Sequence, residues 1–171
     1  MIVLDNLLPE GDLKNRVRED QYWVRSHPYS WKDFGTKPKH VFEEFADLIW
    51  DKFKPGVQYA GYEYWTQSLD STTERKNVGW HNDKDEHLQH TQGILKTPYV
   101  GFVYYAHSQI PDGGFLEIDR EGDVERIQPV PNRIVIFDSG TLHRVVNITS
   151  DVRRSLVSNI WVEKSSEENF V

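Results

Sequence analysis

Three side chains that can bind a metal ion stand out by type and spacing. His81 and Asp83 lie two residues apart, so in an extended segment both project to the same side and can reach a common ion. His143 follows an apolar run and the turn residues Ser139 and Gly140, and it can provide a third donor. Two imidazoles and one carboxylate on one face of a metal leave coordination positions open, which is the arrangement expected for a non-haem Fe(II) oxygenase site.

A second polar group lies about ten residues beyond His143, at Arg153 and Ser155. These residues lead into an apolar segment, and strand alternation puts both side chains on one face. A guanidinium beside a hydroxyl suits a carboxylate, and an Arg inside a barrel needs such a partner because an unpaired buried charge is costly. The alternative interpretation is an exposed Arg at the rim of the fold.

The composition limits the remaining chemistry. The 171 residues include no Cys, which excludes thiolate catalysis, disulfides and Cys-based zinc or iron–sulfur sites. The 20 Lys and Arg against 27 Asp and Glu give a formal charge of -7, spread along the chain, which argues against nucleic acid as a partner. The sequence shows neither a basic leader nor an apolar stretch able to span a bilayer, so we expect a cytoplasmic protein without membrane contact.

Helices are predicted mainly before residue 57. A short strand at Ile2 and Val3 precedes a helix from Asp12. Within residues 39–53, apolar side chains recur at spacings of three and four, the pattern of an amphipathic helix, and Pro55-Gly56 ends it. This helix is expected to cover one face of a sheet.

Strands are predicted from residue 57 onwards, where short aromatic and β-branched runs alternate with turn residues. They are placed at residues 57–69, 99–106, 115–119, 124–129, 134–137, 143–146 and 155–162. We therefore predict one domain over residues 1–171, with helical support over about 1–56 and a β core over about 57–163. The fold class is mainly β with flanking helices (α+β), around a double-sheet jelly roll.

Several of these segments together, from about residue 62 to 162, resemble the 2-oxoglutarate and Fe(II)-dependent oxygenase superfamily, in its prolyl-hydroxylase-like branch. The elements that carry the resemblance occur in chain order: His81-Asn82-Asp83, Val103-Tyr104-Tyr105-Ala106, Gly113-Gly114-Phe115-Leu116, residues 131–137, His143 and Arg153-Arg154-Ser155. The sequence departs from the family pattern at His107, where Asn is frequent, and at Asn132-Arg133, where a Gly is common after the Pro.

The resemblance implies a double-stranded β-helix, cupin-like, with Fe(II) bound by His81, Asp83 and His143. It also implies that Arg153 binds the distal carboxylate of 2-oxoglutarate, with hydrogen bonds from Ser155 and Tyr105. The implied reaction consumes O2 and 2-oxoglutarate, oxidises a C–H bond and releases succinate and CO2. The resemblance thus predicts a hydroxylase that acts on a peptidyl or small-molecule substrate. The sequence does not indicate an oligomeric state.

Other residues near these motifs are candidates for substrate contact. Trp65 and Gln67 share a strand face by alternation, and Arg144 follows the third metal donor. A polar loop at residues 70–77 is predicted to act as a lid. His87 and His90 could bind metal if their segment were helical, although solvated polar residues in a loop are the simpler interpretation.

Two alternative functions share part of this pattern. A metal cupin with a non-oxidative, isomerase-like activity would keep the jelly roll and the His-rich site but would not require Arg153 and Ser155 in this relation. A carboxylate-binding module would keep Arg153 and would not need the three metal donors. The presence of all three metal donors counts against the module, and succinate formation from 2-oxoglutarate separates the oxygenase from the cupin.

Overall fold

In the part of the chain that the structure describes, the fold consists of two antiparallel β-sheets and three α-helices. The computed structural model describes residues 1–23, 28–70, 77–146, 148–149 and 152–166. The helices are α1 (Asp12–Arg18), α2 (Val41–Phe53) and α3 (Glu86–Gln92). The strands are β1 (Ile2–Leu4), β2 (Ser30–Asp33), β3 (Gly61–Leu69), β4 (Val78–His81), β5 (Val100–Tyr105), β6 (Phe115–Arg120), β7 (Asp123–Ile127), β8 (Ile134–Phe137), β9 (His143–Val146) and β10 (Arg153–Trp161).

The strands form one larger and one smaller sheet. The larger sheet has the order β1-β8-β5-β10-β3-β2, and the smaller one has the order β4-β9-β6-β7. An apolar layer between the sheets contains Val103 and Val157 from the larger sheet and Leu116 and Ile118 from the smaller one. This arrangement confirms the predicted mainly β, double-stranded β-helix fold with flanking helices.

Helix α2 covers the outer face of the larger sheet, as its amphipathic pattern predicts. Phe45 packs on Tyr104 with ring centroids 4.4 Å apart, and Trp50 packs on Phe102 at 5.0 Å. The helix begins after His40, whose Nδ1 accepts a hydrogen bond from the Phe42 amide, and it ends before Pro55. In the described part of the chain, no helix is long and apolar enough to cross a membrane.

The structure adds two strands that the sequence pattern did not indicate. The first is β2, which pairs with β3 at one edge of the larger sheet, while β1 pairs with β8 at the other edge. The N-terminal third therefore contributes strands as well as helices. The second is β4, which is short and pairs with β9 in an irregular register. Neither segment has a clear alternation of polar and apolar residues, so pairing with distant strands determines its conformation.

Asn132 explains one departure from the family pattern. Its φ of 61° lies in the left-handed region that favours Gly, and Asn is among the few other residues that adopt it readily. The buried side chain accepts hydrogen bonds from the Leu8 amide at 3.1 Å and the Tyr104 hydroxyl at 3.1 Å, and it donates to the Leu8 carbonyl at 2.9 Å. Asn132 thus fixes the N-terminal segment against the β core, which Gly could not do.

We expect Asn132→Ala to lower the free energy of unfolding by about 3 kcal/mol, because buried polar groups of Leu8 and Tyr104 lose their partner and Ala is strained at a positive φ. Asn132→Gly loses the same hydrogen bonds without that strain, so it should cost roughly 1 kcal/mol less. Chemical denaturation measures both values. Equal costs in the two variants would contradict the role assigned to the backbone conformation.

Candidate functional site

His81, Asp83 and His143 meet at one end of the smaller sheet. His81 ends β4 and His143 begins β9, and the two residues are paired across these strands. Asp83 follows β4, and its Oδ1 lies 3.8 Å from Nε2 of each imidazole. The donor atoms of the three residues all lie within 4.8 Å of one another. The three side chains that the sequence singled out therefore lie close together in the structure.

Hydrogen bonds orient both imidazoles toward this cluster. Nδ1 of His81 lies 2.8 Å from the Gly79 carbonyl, and Nδ1 of His143 lies 2.8 Å from the Thr141 carbonyl. Because a carbonyl can only accept, each Nδ1 carries the proton and each Nε2 presents a lone pair. Burial lowers the pKa of His143, which favours the neutral imidazole that binds metals. Both rings are thus held in the form of a metal ligand.

The donor set fits Fe(II). Two imidazole nitrogens and one carboxylate oxygen form the set associated with non-haem Fe(II), and they lie on one side of a cavity. Within the described ranges, this is the one group of three His, Asp or Glu donors close enough to share an ion. His87 and His90 do lie on a helix, α3, but both are exposed and neither joins the group.

Arg153 lies deep inside the fold on β10, with 1% of its surface exposed. Its Nε donates to the Gly114 carbonyl at 3.0 Å, and one terminal nitrogen donates to the Ser155 hydroxyl at 2.9 Å. Among the described residues, no carboxylate lies within 4.0 Å of its guanidinium. A buried cation without a counter-ion is unfavourable, so this position favours an anionic ligand.

Tyr105 adds a hydrogen-bond donor beside Arg153, whose guanidinium lies 5.1 Å from the tyrosine ring centroid. The Tyr105 hydroxyl is buried, and no acceptor for its proton occurs among the residues that the structure describes. Burial raises the pKa of Tyr105, which keeps the hydroxyl protonated. Arg153, Ser155 and Tyr105 together provide a fork of N–H donors and two hydroxyls, which is suited to a carboxylate.

One cavity connects the metal-binding candidates with the buried polar residues of β10. The metal-binding candidates, Arg153 and Ser155 all line it, together with apolar side chains of both sheets. Gly114 borders the Arg153 side chain with a φ of +67°, and a Cβ there would lie only 2.7 Å from Arg153 Cδ. A side chain at residue 114 would therefore displace the guanidinium, which explains the need for Gly at this position.

The three candidates for substrate contact fall in different places. Trp65 and Gln67 line the cavity, and the Trp65 ring stacks on Tyr29 at 4.3 Å. Arg144 does not line it: its Nε donates to Glu117 at 2.6 Å, and its guanidinium lies 4.4 Å from the Trp80 ring centroid. Strand alternation places Arg144 on the opposite face of the smaller sheet from His143, and its substrate role stays a prediction.

A second cavity adjoins two of the metal-binding candidates and is lined by Tyr29, Glu63, His81, Asn82, Asp83, Lys84 and Glu86. The predicted lid, residues 70–77, falls largely on residues 71–76, which lie outside the described residues.

Asn159 and Gly114 line or border the main cavity but were absent from the predicted site. Alternation along β10 places Asn159 on the same face as Arg153 and Ser155, so a signal for Asn159 was present.

Comparisons with known proteins agree with this site. The family model of the 2OG-Fe(II) oxygenase superfamily matches residues 67–163, which is more than half of the chain and includes both groups of site residues. No protein with a curated description matches the sequence.

Solved structures with the same fold include several oxygenases. A prolyl-4-hydroxylase from Pseudomonas putida is 17% identical with a TM-score of 0.64, and the match covers 94% of this chain and 91% of that one. A prolyl hydroxylase from Trichoplax adhaerens, in complex with a peptide of hypoxia inducible factor, is 13% identical with a TM-score of 0.63 and coverages of 94% and 83%.

A third similar structure is HygX from Streptomyces hygroscopicus, with nickel and 2-oxoglutarate bound. It is 15% identical, with a TM-score of 0.58 and coverages of 94% and 81%. At identities this low, the structural similarity shows the fold alone. The family model, in contrast, matches the amino-acid sequence of this chain. The double-stranded β-helix, the His-Asp-His cluster and the family match lead to one conclusion: the chain belongs to the 2OG-Fe(II) oxygenase superfamily, whose members are enzymes that use Fe(II) and 2-oxoglutarate.

Proposed function

We propose that His81, Asp83 and His143 hold Fe(II) and that Arg153, Ser155 and Tyr105 bind 2-oxoglutarate. The single observation that carries the proposal is the cavity that joins a His-Asp-His donor set to a buried arginine without a described carboxylate partner. Bound Fe(II), with 2-oxoglutarate and O2, supplies the oxidation of a substrate C–H bond, with release of succinate and CO2. The protein contributes binding, orientation and exclusion of water.

The residues of the carboxylate site determine how 2-oxoglutarate is oriented. Arg153 cannot lose its proton and is held by Gly114 and Ser155, so its remaining N–H groups point in fixed directions. Charge-assisted hydrogen bonds to the distal carboxylate, with O–H donors from Ser155 and Tyr105, would place the 2-oxo acid end toward the metal donors. The apolar walls between the two sites keep water away from the reacting groups.

The substrate is proposed to be a peptidyl or small-molecule compound that is hydroxylated at a C–H bond. Trp65 and Gln67 line the cavity beside the candidate site, and the second cavity is lined by Tyr29 and by two of the metal donors, His81 and Asp83. The Trichoplax protein has a peptide bound, which favours a peptide substrate here. We therefore propose that Trp65 and Gln67 contact the substrate next to the metal.

The organisation of the whole chain is proposed to be a single domain. Its support is the pairing of β1 with β8 and of β2 with β3, which makes both N-terminal strands part of the larger sheet. We also propose action in the cytoplasm without nucleic acid as a partner, in line with the absence of Cys and the net charge of -7.

Succinate formation tests the proposed function. Purified protein supplied with Fe(II), O2 and 2-oxoglutarate should release succinate slowly, and a true substrate should accelerate that release because it makes the site dry enough to favour reaction with O2. A collection of peptides and metabolites can be screened by mass spectrometry for this acceleration. Anaerobic samples and Asp83→Ala serve as controls. If no compound raised succinate release, the proposed substrate classes would be wrong.

A further inference from the structure

Asn159 links the metal-binding candidate Asp83 to a second buried carboxylate. Its side chain is fully buried on β10, and it lines the same cavity as Arg153. The amide nitrogen donates to Asp83 Oδ2 at 3.0 Å and to Glu63 Oε1 at 2.9 Å. Glu63 is the residue paired with Asn159 across β3 and β10. Both hydrogens of the amide are therefore directed to carboxylate oxygens.

The orientation of this amide follows from chemistry. A rotation by half a turn would place Oδ1 of Asn159 against two carboxylate oxygens, and acceptors do not attract one another. The amide also depends on Gly101 of β5, because a Cβ built on that residue would overlap with Asn159 Oδ1. Gly101 thus provides the space for the amide, and Glu63 provides the second acceptor.

The consequence concerns which oxygen of Asp83 can reach a metal. Oδ2 is held by Asn159, while Oδ1 lies 3.8 Å from Nε2 of both His81 and His143. We infer that Asn159 is a positioning residue that holds Asp83 as a single-oxygen ligand and thereby leaves metal positions open for 2-oxoglutarate and O2. The inference rests on the proposed metal role of Asp83. Partners that orient a ligand in this way commonly change metal affinity when they are removed.

The test compares Asn159→Leu, which has a similar volume but no N–H donor, with the parent protein. Mn(II) alone is the probe, because its free concentration can be followed by electron paramagnetic resonance and its bound waters by solvent proton relaxation. We expect the Kd for Mn(II) to rise by about 10- to 100-fold. We also expect a lower relaxation enhancement of the bound ion, because the released Oδ2 can join Oδ1 on the metal and displace a water.

Ser158→Ala is the matched control. Ser158 is the preceding residue on β10, is also fully buried and accepts a hydrogen bond from Trp50 Nε1 at 3.1 Å, on the face away from the cavity. This variant should lose stability and keep the Mn(II) affinity and relaxation of the parent. Should Asn159→Leu fail to fold, Asn159→Ser takes its place, since its hydroxyl is too short to replace the amide and the same changes are expected.

Two results would overturn the inference. One is a folded Asn159 variant that binds Mn(II) with the affinity and relaxation of the parent. The other is weaker binding with unchanged relaxation, which would leave Asn159 with a general stabilising role and no control over the Asp83 oxygens. A parent protein that binds no Mn(II) would instead contradict the proposed metal site itself, so the two failures are distinguishable.

Discussion

Asp83→Ala should abolish Fe(II) binding and all succinate formation while the protein remains folded. The site has three protein donors, and Asp83 is the one that carries negative charge, so its loss removes both a ligand and the main attraction for a cation. His143→Ala should have the same effect. We expect the metal Kd to rise by more than about 100-fold in each variant, beyond the usual effect of removing a residue that only orients a ligand.

Anaerobic titration with Fe(II) measures the affinity, and circular dichroism with thermal unfolding checks the fold. His87→Ala is a suitable control because His87 is an exposed histidine on α3, close to Asp83 in sequence and outside the donor group. It should bind Fe(II) as the parent does. If His87→Ala lowered the Fe(II) affinity as much as Asp83→Ala does, the donor set would have been assigned wrongly.

Arg153→Met should lose affinity for 2-oxoglutarate by roughly 100-fold, which corresponds to about 2–3 kcal/mol for charge-assisted hydrogen bonds to a carboxylate. Fe(II) binding should be retained. The stability of the protein without ligands should change little or increase, because the variant removes a buried cation that has no described carboxylate partner. A ligand that binds the native state raises the melting temperature, so 2-oxoglutarate should stabilise the parent protein in thermal unfolding. This stabilisation should disappear in Arg153→Met.

Arg154→Met is the matched control for this prediction. Arg154 is the next residue on β10, and its guanidinium pairs with Asp20 at 2.7 Å on the side away from the cavity. Its loss should leave the 2-oxoglutarate affinity almost unchanged. An equal or larger loss in Arg154→Met would mean that the carboxylate site lies on the other face of β10.

The sequence predicted which side chains lie on a common face where a simple periodicity applies. The two-residue spacing of His81 and Asp83 and the alternation of Arg153 and Ser155 both depend only on extended backbone, so the faces of these residues follow directly from the pattern. The amphipathic helix was predicted within two residues of α2, because its apolar stripe is long and regular.

Features that depend on distant contacts could not be predicted in this way. The partners of Arg144, which are Glu117 on the neighbouring strand and the Trp80 ring, are such contacts, although alternation from His143 alone puts Arg144 on the far face of the smaller sheet. Helix α3 has local end signals, an Asp85 cap on the Leu88 amide and Gly93 after its last turn, but the bonds of Asp85 to the backbone and hydroxyl of Ser166 reach far along the chain. Tertiary partners of this kind leave no local signature in the sequence.

The family match and the site residues answer different questions. The family model shows that the chain is an oxygenase of this superfamily, while the substrate depends on the residues around the opening. Trp65 and the second cavity adjoin the proposed metal site, and they are the places where substrate preference is most directly tested by mutation.

Absorption spectroscopy of the Fe(II)-loaded protein without oxygen is the most direct test of the proposed site. When 2-oxoglutarate binds Fe(II) through its 2-oxo acid group, a weak visible charge-transfer band should appear, and it should be absent from Asp83→Ala and need far more 2-oxoglutarate in Arg153→Met. The site described here predicts this band together with slow succinate release once oxygen is admitted. Iron-loaded parent protein that showed neither the band nor succinate would contradict it and would favour a non-oxidative metal cupin.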